Sequence, residues 1–338
     1  MKPHAASLTF LALALLAVAA YVGASLGSAA GAVTFEPDWP RAFLPGGGGP
    51  FAAVITELRV PRVLAAALTG AALALSGLVL QGVSRNPLAD PFLLGVSGGA
   101  GVVVVALYAV PRLVVSLGWW IVPVGAFAGA QAATMLVLTL ARGPRGRVTV
   151  IGLVLGGVVV NAFCAAVTTV LLVSLEPLRL RFASFWLAGG VSSAEWGQIA
   201  IAAAVLAACA VFVWSRAGAF NAFALGEEGA GLVGVDTRRA LREAAWTASL
   251  LTGIAVSLSG MVGYVGLIVP HVARLLVGGD FRANVPLTAA AGALLLVAAD
   301  AAARTVISPA ELPVGVLTAL IGTPLLFILI RREMGRGA

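Results

Sequence analysis

The chain has 338 residues, of which 60% are hydrophobic and only 10% charged, and its mean hydropathy is +1.04. This composition excludes a water-soluble domain of this size, and recurrent apolar runs of roughly 20 residues match the hydrocarbon thickness of a bilayer. A β-barrel would instead show short segments of alternating hydropathy. We therefore predict an all-α, polytopic membrane protein with a single domain over residues 1–338.

The residue counts exclude several kinds of site. Lys2 is the single lysine, so the chain has no GxxxxGK[ST] phosphate-binding loop, and any nucleotide must be bound by another subunit. Both cysteines lie in apolar runs and the two histidines lie far apart, so we predict neither a disulfide framework nor a metal site, and no cofactor bound by this chain. The net charge of +7 comes from arginines spread over many short loops, which argues against nucleic-acid binding.

Ten apolar runs follow one another along the chain. The first, residues 8–26, also fits a cleavable signal peptide, but we favour an uncleaved span because the run is long for a signal core. A glycine-rich external loop over residues 31–57 follows and ends in a short amphipathic helix. The other nine spans are predicted at about 63–81, 91–108 and 116–140, then ending near 175 and 214, then at 241–261, 264–277, 284–305 and 311–330.

Local signals indicate how these spans begin and pack. Asp90 caps the third span with Pro91 at its first position, and a capping box over residues 308–311 begins the tenth. Small residues at helical spacing predict close helix contacts in lipid. They are Gly70, Ala74 and Gly77 in the second span, and the pairs Gly95 and Gly99, Gly125 and Gly129, and Gly152 and Gly156.

The distribution of arginines sets the topology. Ten spans place both termini on the same side, and an internal N-terminus puts about two-thirds of the 21 basic residues in the cytoplasm, as the positive-inside rule requires. Both termini are therefore predicted to be cytoplasmic. The polar island at residues 220–242, which lies between two long apolar runs, is then cytoplasmic too, and is either a docking surface or an ordinary solvated loop.

Three arginines stand against this charge bias, at the predicted outer ends of two spans. Arg59, Arg62 and Arg304 can grip carboxylates of an acidic partner or solute by paired hydrogen bonds. They can equally be structural, with Arg304 paired to Asp300 one turn earlier and Arg59 paired to Glu57 or to lipid headgroups. The spacing does not decide between these readings.

Asp300 and His271 are the ionisable residues that we place within spans. An ion-coupled secondary carrier, acting without an ATPase, requires such groups near the midplane of the membrane. Neither residue has a midplane partner in the sequence, so this is our alternative hypothesis. An intramembrane enzyme is disfavoured because the spans contain no Ser/Lys, HExxH or paired-aspartate arrangement.

Five ordered blocks of this sequence resemble the permease subunits of ATP-binding-cassette importers for iron chelates, haem and cobalamin. Two lie in the first two-thirds of the chain: LRVPRVLAAALTGAALALSGLVLQGVSRNPLADPFLLGVSGGAG at 58–101 and FWLAGGVSSAEW at 185–196. Three follow: ALGEEGAGLVGV at 224–235, GMVGYVGLIVPHVARLLVGGDFR at 260–282 and ADAAARTVISPAELPVGVLTALIGTPLLFILI at 299–330.

The resemblance implies a homodimer of ten-span subunits in the bacterial inner membrane, with two cytoplasmic ATPase subunits that use ATP and Mg²⁺, and a periplasmic or extracellular substrate-binding protein. The permease itself does no covalent chemistry. Its cargo would be cobalamin, haem or a ferric siderophore, which the sequence does not distinguish.

The resemblance also implies roles for particular residues. Arg59, Arg62 and Arg304 would receive acidic residues of the binding protein. A coupling segment at residues 217–240 would fit the ATPase through Leu225, Gly226, Glu227, Glu228, Gly231, Leu232, Gly234 and Val235. Arg142, Arg145, Arg147 and Asn161 are candidate pathway or gate residues.

Overall fold

The computed structural model describes residues 3–29, 32–35, 40, 43, 52–118, 120–142, 148–191, 194–307 and 310–336. The predicted gate residues Arg145 and Arg147, and most of the predicted external loop, lie outside these ranges.

The described chain is helical apart from one short hairpin, which confirms the predicted helical class. The hairpin pairs Leu26–Ala29 (β1) with Ala32–Phe35 (β2) in antiparallel register. The helices of the first half are Pro3–Ser25 (α1), Ala52–Ser84 (α2), Val96–Ala109 (α3), Pro111–Leu117 (α4), Ile121–Leu140 (α5), Val150–Val173 (α6) and Pro177–Ala188 (α7). The second half has Trp196–Ser215 (α8), Ala217–Ala222 (α9), Gly226–Leu232 (α10), Thr237–Ser259 (α11), Val265–Val277 (α12), Phe281–Thr305 (α13) and Val314–Arg336 (α14).

Six described helices are long and apolar enough to cross a membrane: α1, α2, α5, α6, α8 and α13. Three shorter apolar stretches lie in α3, α12 and α14. The remaining long helix, α11, is apolar after Glu243 but carries arginines in its first turns. The chain is therefore a multi-pass membrane protein, since a chain of this size in water could not bury the apolar surface of so many helices.

Three predicted boundaries were wrong, each for a physical reason. The short helix at the end of the external loop continues directly into the second span, because Ile55–Arg59 is π-helical and joins Ala52–Val54 to Val60–Ser84 without a break. Helix α11 begins at Thr237, because the Asp236 carboxylate accepts a hydrogen bond from the Arg239 amide at 3.0 Å. Helix α14 begins at Val314, three residues after the predicted start at Glu311, and residues 308–309 of the predicted capping box lie outside the described ranges.

Helix α2 is the central helix of the fold. It packs against α8, α11, α12 and α13, and most of its side chains between Val63 and Val83 are buried. Two glycines allow the closest approaches. A Cβ at Gly70 would lie 2.1 Å from the Gly292 carbonyl oxygen on α13, and one at Gly77 would lie 1.7 Å from the Gly266 carbonyl oxygen on α12. The predicted close contacts of this helix are thus confirmed.

A second group of helices, α3, α5 and α6, packs beside this core. Gly99 and Gly129 face each other, since a Cβ on either would lie within 2.4 Å of the other's carbonyl oxygen. The 3₁₀ turn Pro91–Leu94 leads into α3, and its start is capped as predicted, because the Asp90 carboxylate accepts from the Phe92 amide at 2.8 Å. The two groups are joined by α11, which contacts both α2 and α5.

Candidate functional site

The arginine cluster (Arg59, Arg62 and Arg304) lies where α2 begins and α13 ends. Arg62 Nε donates to both carboxylate oxygens of Asp300, at 3.0 and 3.2 Å, and Arg62 Nη1 donates to Glu311 at 2.8 Å. Arg304 Nε lies 3.1 Å from the other side of the same Asp300 carboxylate, with i,i+4 spacing. One carboxylate therefore holds two arginines from two helices.

Burial differs within this cluster. The Asp300 side chain is 1% exposed and that of Arg304 is 9% exposed, whereas the Glu311 side chain is 43% exposed. Arg304 Nη2 also donates to the Gly23 carbonyl at 3.0 Å, which ties α13 to α1. The predicted pairing of Arg304 with Asp300 is therefore confirmed, and Arg62 binds the same carboxylate.

Arg59 occupies a different setting, at the end of the π-helical turn Ile55–Arg59. Its Nη1 donates to the Ser25 carbonyl at 3.5 Å, and the side chain is half-buried. The Thr56 carbonyl in the same turn accepts from the Trp196 indole Nε1 at 3.1 Å, which links this turn to the start of α8. π-turns recur at functional sites, and this one has Arg59 at its last position.

The coupling segment lies at the other end of α2. It includes α9, a 3₁₀ turn at Phe223–Leu225, and α10. Gly226 begins α10 with φ +88°, and Gly234 follows it with φ +85°, in the left-handed region that favours glycine. A Cβ at Gly226 would lie 3.2 Å from Arg85 Nη1, just after α2 ends.

One side of this segment is anchored. Phe220 and Phe223 are each 1% exposed, and the Phe220 ring lies 5.5 Å from that of Phe281 at the start of α13. Asn221 Nδ2 donates to the Asp280 carboxylate at 2.9 Å, and the Phe281 amide donates back to Asn221 Oδ1 at 2.9 Å. The hydrogen bond from Asn221 is the main reason that the pKa of Asp280 lies below its ordinary value.

The other side is exposed, apolar and acidic. Leu225, Leu232 and Val233 are 63%, 90% and 60% exposed, and Glu227 and Glu228 project from the first turn of α10. Three strongly exposed apolar side chains within one short segment indicate an interaction surface.

An ion-pair clamp fixes both ends of the coupling segment. Arg216, where α8 ends, donates from Nε to Glu243 Oε2 at 2.9 Å, and Arg239 donates to Glu243 Oε1 at 2.8 Å. Glu243 lies on α11, so the helices that enter and leave the segment are joined. The i,i+4 spacing of Arg239 and Glu243 was a usable sequence signal for half of this clamp, whereas Arg216 lies 27 residues from Glu243 and gave none.

The predicted pathway residues are not brought together in the described ranges. Asn161 on α6 donates from Nδ2 to the Phe92 carbonyl at 2.9 Å and faces the start of α3, and its Oδ1 has no partner among the described residues. Arg142 is exposed at the end of α5, in an isolated bridge with Val148. The pathway role of both residues stays a prediction.

The arginine cluster and the coupling segment are separated by the length of α2. From Arg62 to Arg85 the helix rises roughly 35 Å at 1.5 Å per residue, slightly more than the ~30 Å hydrocarbon core of a bilayer. The protein thus has two polar surfaces at opposite ends of its central helix, joined by packed apolar helices.

Comparison with known proteins shows which family this chain is similar to. The model of the FecCD transport family matches residues 8–332. The hemin transport system permease protein HmuU of Yersinia pestis is 39% identical over 281 residues, covering 82% of this chain and 83% of its own. The cobalamin import system permease protein BtuC of Halobacterium salinarum is 41% identical over 278 residues, covering 82% of this chain and 73% of its own.

Two further comparisons cover almost the whole chain. The iron(3+)-hydroxamate import system permease protein FhuB of Bacillus subtilis is 38% identical over 326 residues, covering 95% of this chain and 82% of its own. A solved structure described as an inward-facing conformation of a metal-chelate type ABC transporter superposes with a TM-score of 0.81 at 28% identity, over 96% of this chain and 99% of the other. The chain belongs to the FecCD transport family of membrane permeases.

Proposed function

We propose that this chain is the permease subunit of a binding-protein-dependent ABC importer that moves a large metal chelate, such as cobalamin, haem or a ferric siderophore, into the cytoplasm. ATP hydrolysis, with Mg²⁺, takes place in two separate ATPase subunits. The similarity to permeases named for hemin, cobalamin and iron(3+)-hydroxamate import supports this cargo class. The differences among those named cargoes leave the individual chelate open.

The observation that carries the proposal is the coupling segment. Its apolar and acidic face is exposed, its opposite face is anchored to α13, and its two ends are joined through Glu243. A partner that pushes on Leu232 therefore moves α8 and α11 together, because a clamped segment transmits displacement as a rigid body. The partner that fits this role is the ATPase.

The same proposal gives the arginine cluster its role at the opposite face. A carboxylate on the binding protein displaces Glu311, which is 43% exposed, from Arg62, whereas Asp300 remains fixed in the interior. Arg59 supplies the second cationic contact beside it. Arg304 is 9% exposed, so it acts from behind Asp300 in this conformation.

The proposed topology has ten spans, with both termini in the cytoplasm of a bacterial inner-membrane protein, and places the coupling segment inside and the arginine cluster outside. We further propose that the permease is a homodimer. Helix α6 supports this, because a continuous row of apolar side chains along it, including Leu155, Val159, Phe163 and Val170, is more than 60% exposed. A second copy covers this row and encloses the pathway.

Reconstitution tests the proposal. The permease is placed in proteoliposomes with its ATPase and binding protein, and ATP-dependent accumulation of the chelate is measured. Leu232→Asp is expected to reduce uptake at least tenfold, because a charge replaces an apolar contact at the ATPase surface. Leu117→Asp, at another exposed leucine on α4, is the matched control and is expected to retain uptake. Accumulation by the permease without any ATPase would refute the proposal.

That last outcome is what an ion-coupled carrier requires. The setting of Asp300 disfavours such a carrier, because this carboxylate is held by two guanidinium groups and is not open to a transported ion. The two functions are separated by one measurement, namely whether uptake by the permease alone is abolished by an ionophore.

A further inference from the structure

A groove of about 490 Å³ lies between α8 and α11, beside the ion-pair clamp at Glu243. Its floor is apolar and includes Ala208, Cys209, Phe212 and Leu250. Arg239, Arg242 and Glu243 line one end of it. The groove is thus amphipathic along its length, with a charged mouth and an apolar floor.

The groove crosses the edge of the apolar layer. The apolar span of α8 ends at Ser215, and on α11 no charged residue follows Glu243 up to Ser259. Trp246 lines the groove one turn beyond Arg242, and tryptophan is enriched at the boundary between membrane and water. The arginines therefore lie at headgroup depth while the floor lies at acyl-chain depth.

The mouth has an unneutralised positive charge. Glu243 is the acidic residue among those that line it, and both of its oxygens are already taken, one by Arg216 and the other by Arg239. Arg242 is exposed and forms neither a hydrogen bond nor an ion pair within the described part of the chain. A guanidinium group binds phosphate through two parallel hydrogen bonds, so the mouth is complementary to a phosphate monoanion.

We propose that this groove binds an anionic phospholipid, with its phosphate on Arg242 and an acyl chain on the floor between α8 and α11. The charged mouth and the apolar floor together favour this lipid as the ligand. A soluble anion would use the arginines and leave the apolar floor in water, whereas a zwitterionic lipid such as phosphatidylcholine would bring its choline cation to a mouth that already has excess positive charge. The coupling segment lies between these two helices in the chain, so the bound lipid braces both ends of it.

Binding is measured by native mass spectrometry of the full-length permease in detergent, without ATPase or binding protein. The probe is phosphatidylglycerol, compared with phosphatidylcholine carrying the same acyl chains. Arg242→Gln is expected to weaken phosphatidylglycerol binding about fivefold, the loss expected for one arginine at an anionic surface, and to weaken phosphatidylcholine binding less, because the choline cation offsets the charge of its phosphate. Arg238→Gln is the matched control, since Arg238 is an exposed arginine on the same helix outside the groove.

A second variant tests the floor. Ala208 is exposed in the groove, so Ala208→Phe fills it without entering the core, and it is expected to reduce the affinity for phosphatidylglycerol while leaving Arg242 in place. Unfolding midpoints of all three variants verify that they fold.

Three results would overturn the assignment. The first is an equal loss of phosphatidylglycerol affinity in Arg238→Gln and Arg242→Gln. The second is binding of inorganic phosphate to the wild type as strong as that of phosphatidylglycerol. The third is an Arg242→Gln variant that keeps its lipid affinity but no longer assembles with the ATPase. The last would make the groove a protein contact. The lipid-binding measurements need neither transport nor the ATPase, so their outcome is independent of the proposed function; the assembly comparison alone uses the ATPase.

Discussion

At the scale of single residues, the buried carboxylate of Asp300 has the largest electrostatic consequence. It pairs with Arg62 and Arg304 at once, and its side chain is 1% exposed. Two guanidinium groups brought together without it would repel each other, and Arg304, itself buried, would lose its ion-pair partner on the same helix. Removing one partner of a buried ion pair is costly because the desolvation of the other is no longer offset.

Asp300→Asn is therefore expected to destabilise the protein by about 3 kcal/mol, measured as the loss of unfolding free energy in detergent. Glu311→Gln provides the comparison at the same arginine. Because Glu311 is 43% exposed, its contact is screened by water, and the expected loss is under about 1 kcal/mol. Equal effects from the two variants would show that Asp300 is not the centre of the network.

A second residue-scale feature compensates for a proline. Pro270 in α12 has no amide hydrogen to donate to the Gly266 carbonyl four residues earlier. Gln81 Nε2, from α2, donates to the carbonyls of Gly266 and Leu267 at 3.2 and 3.0 Å, and Arg274 donates to Gln81 Oε1. The side-chain amide of the buried Gln81 thus supplies the hydrogen bond that Pro270 cannot donate to the Gly266 carbonyl, which explains a polar side chain among apolar ones.

At the scale of elements, the packing of helices depends on a few glycines at the crossings. Lipid provides no hydrophobic drive between helices, so dispersion contacts at short distance hold them together. Gly70 on α2 and Gly292 on α13 face each other where these helices cross, and the contact between α2 and α13 is the most extensive among the described helices.

Gly70→Ala is expected to lower the yield of folded protein severely or to reduce its unfolding temperature by several degrees. The added Cβ would lie 2.1 Å from the Gly292 carbonyl oxygen, which cannot move unless the two helices separate. Gly279→Ala is the control, since a Cβ there meets nothing within 4 Å. Equal stability of the two variants, measured by thermal unfolding, would contradict the proposed importance of this crossing.

The backbone of the coupling segment makes a different demand on its glycines. Gly234 has φ +85° with open space around it, whereas Gly218 on α9 is helical with equally open space. Gly234→Val is expected to strain the turn between α10 and α11 by about 1–2 kcal/mol and to uncouple ATP hydrolysis from uptake. Gly218→Ala has the same free space and no strain, and is expected to remain coupled. The ratio of chelate transported to ATP hydrolysed distinguishes the two.

The sequence predicted elements well where the signal was local. Apolar runs located the helices, and the cap at Asp90 and the close contact of Gly99 were readable from spacing. The start of α14 was misjudged because Glu311 pairs with Arg62, 249 residues away, rather than with its own helix. The Arg216–Glu243 contact and the groove beside it were missed for the same reason, since no pattern along the chain indicates which loops meet in space.

At the scale of the whole molecule, the two polar surfaces are mechanically connected through α2 and α13. The arginine cluster lies at one end of both helices, and the coupling segment contacts the other end, through Gly226 beside Arg85 and through Asn221 on Asp280. We expect a displacement at one surface to be transmitted to the other, because these helices meet backbone to backbone and do not deform continuously. Docking of the binding protein and engagement of the ATPase are therefore expected to influence each other.

The arginine cluster can be tested separately from this coupling by a charge reversal at Arg59, whose position is less buried than the Asp300 network. Arg59→Glu is expected to weaken association with the binding protein about tenfold at low salt, because a repulsive contact replaces an attractive one. The loss of affinity should become smaller as the salt concentration rises, since charges at a solvated interface are screened beyond ~3 Å at 1 M.

Arg112→Glu, at an exposed arginine on α4, is the matched control and should leave affinity unchanged. Assembly with the ATPase should be unaffected in both variants, since α2 separates the arginine from the coupling segment by roughly 35 Å. Unchanged affinity in Arg59→Glu, measured by surface plasmon resonance across a salt series, would exclude this arginine from the docking surface.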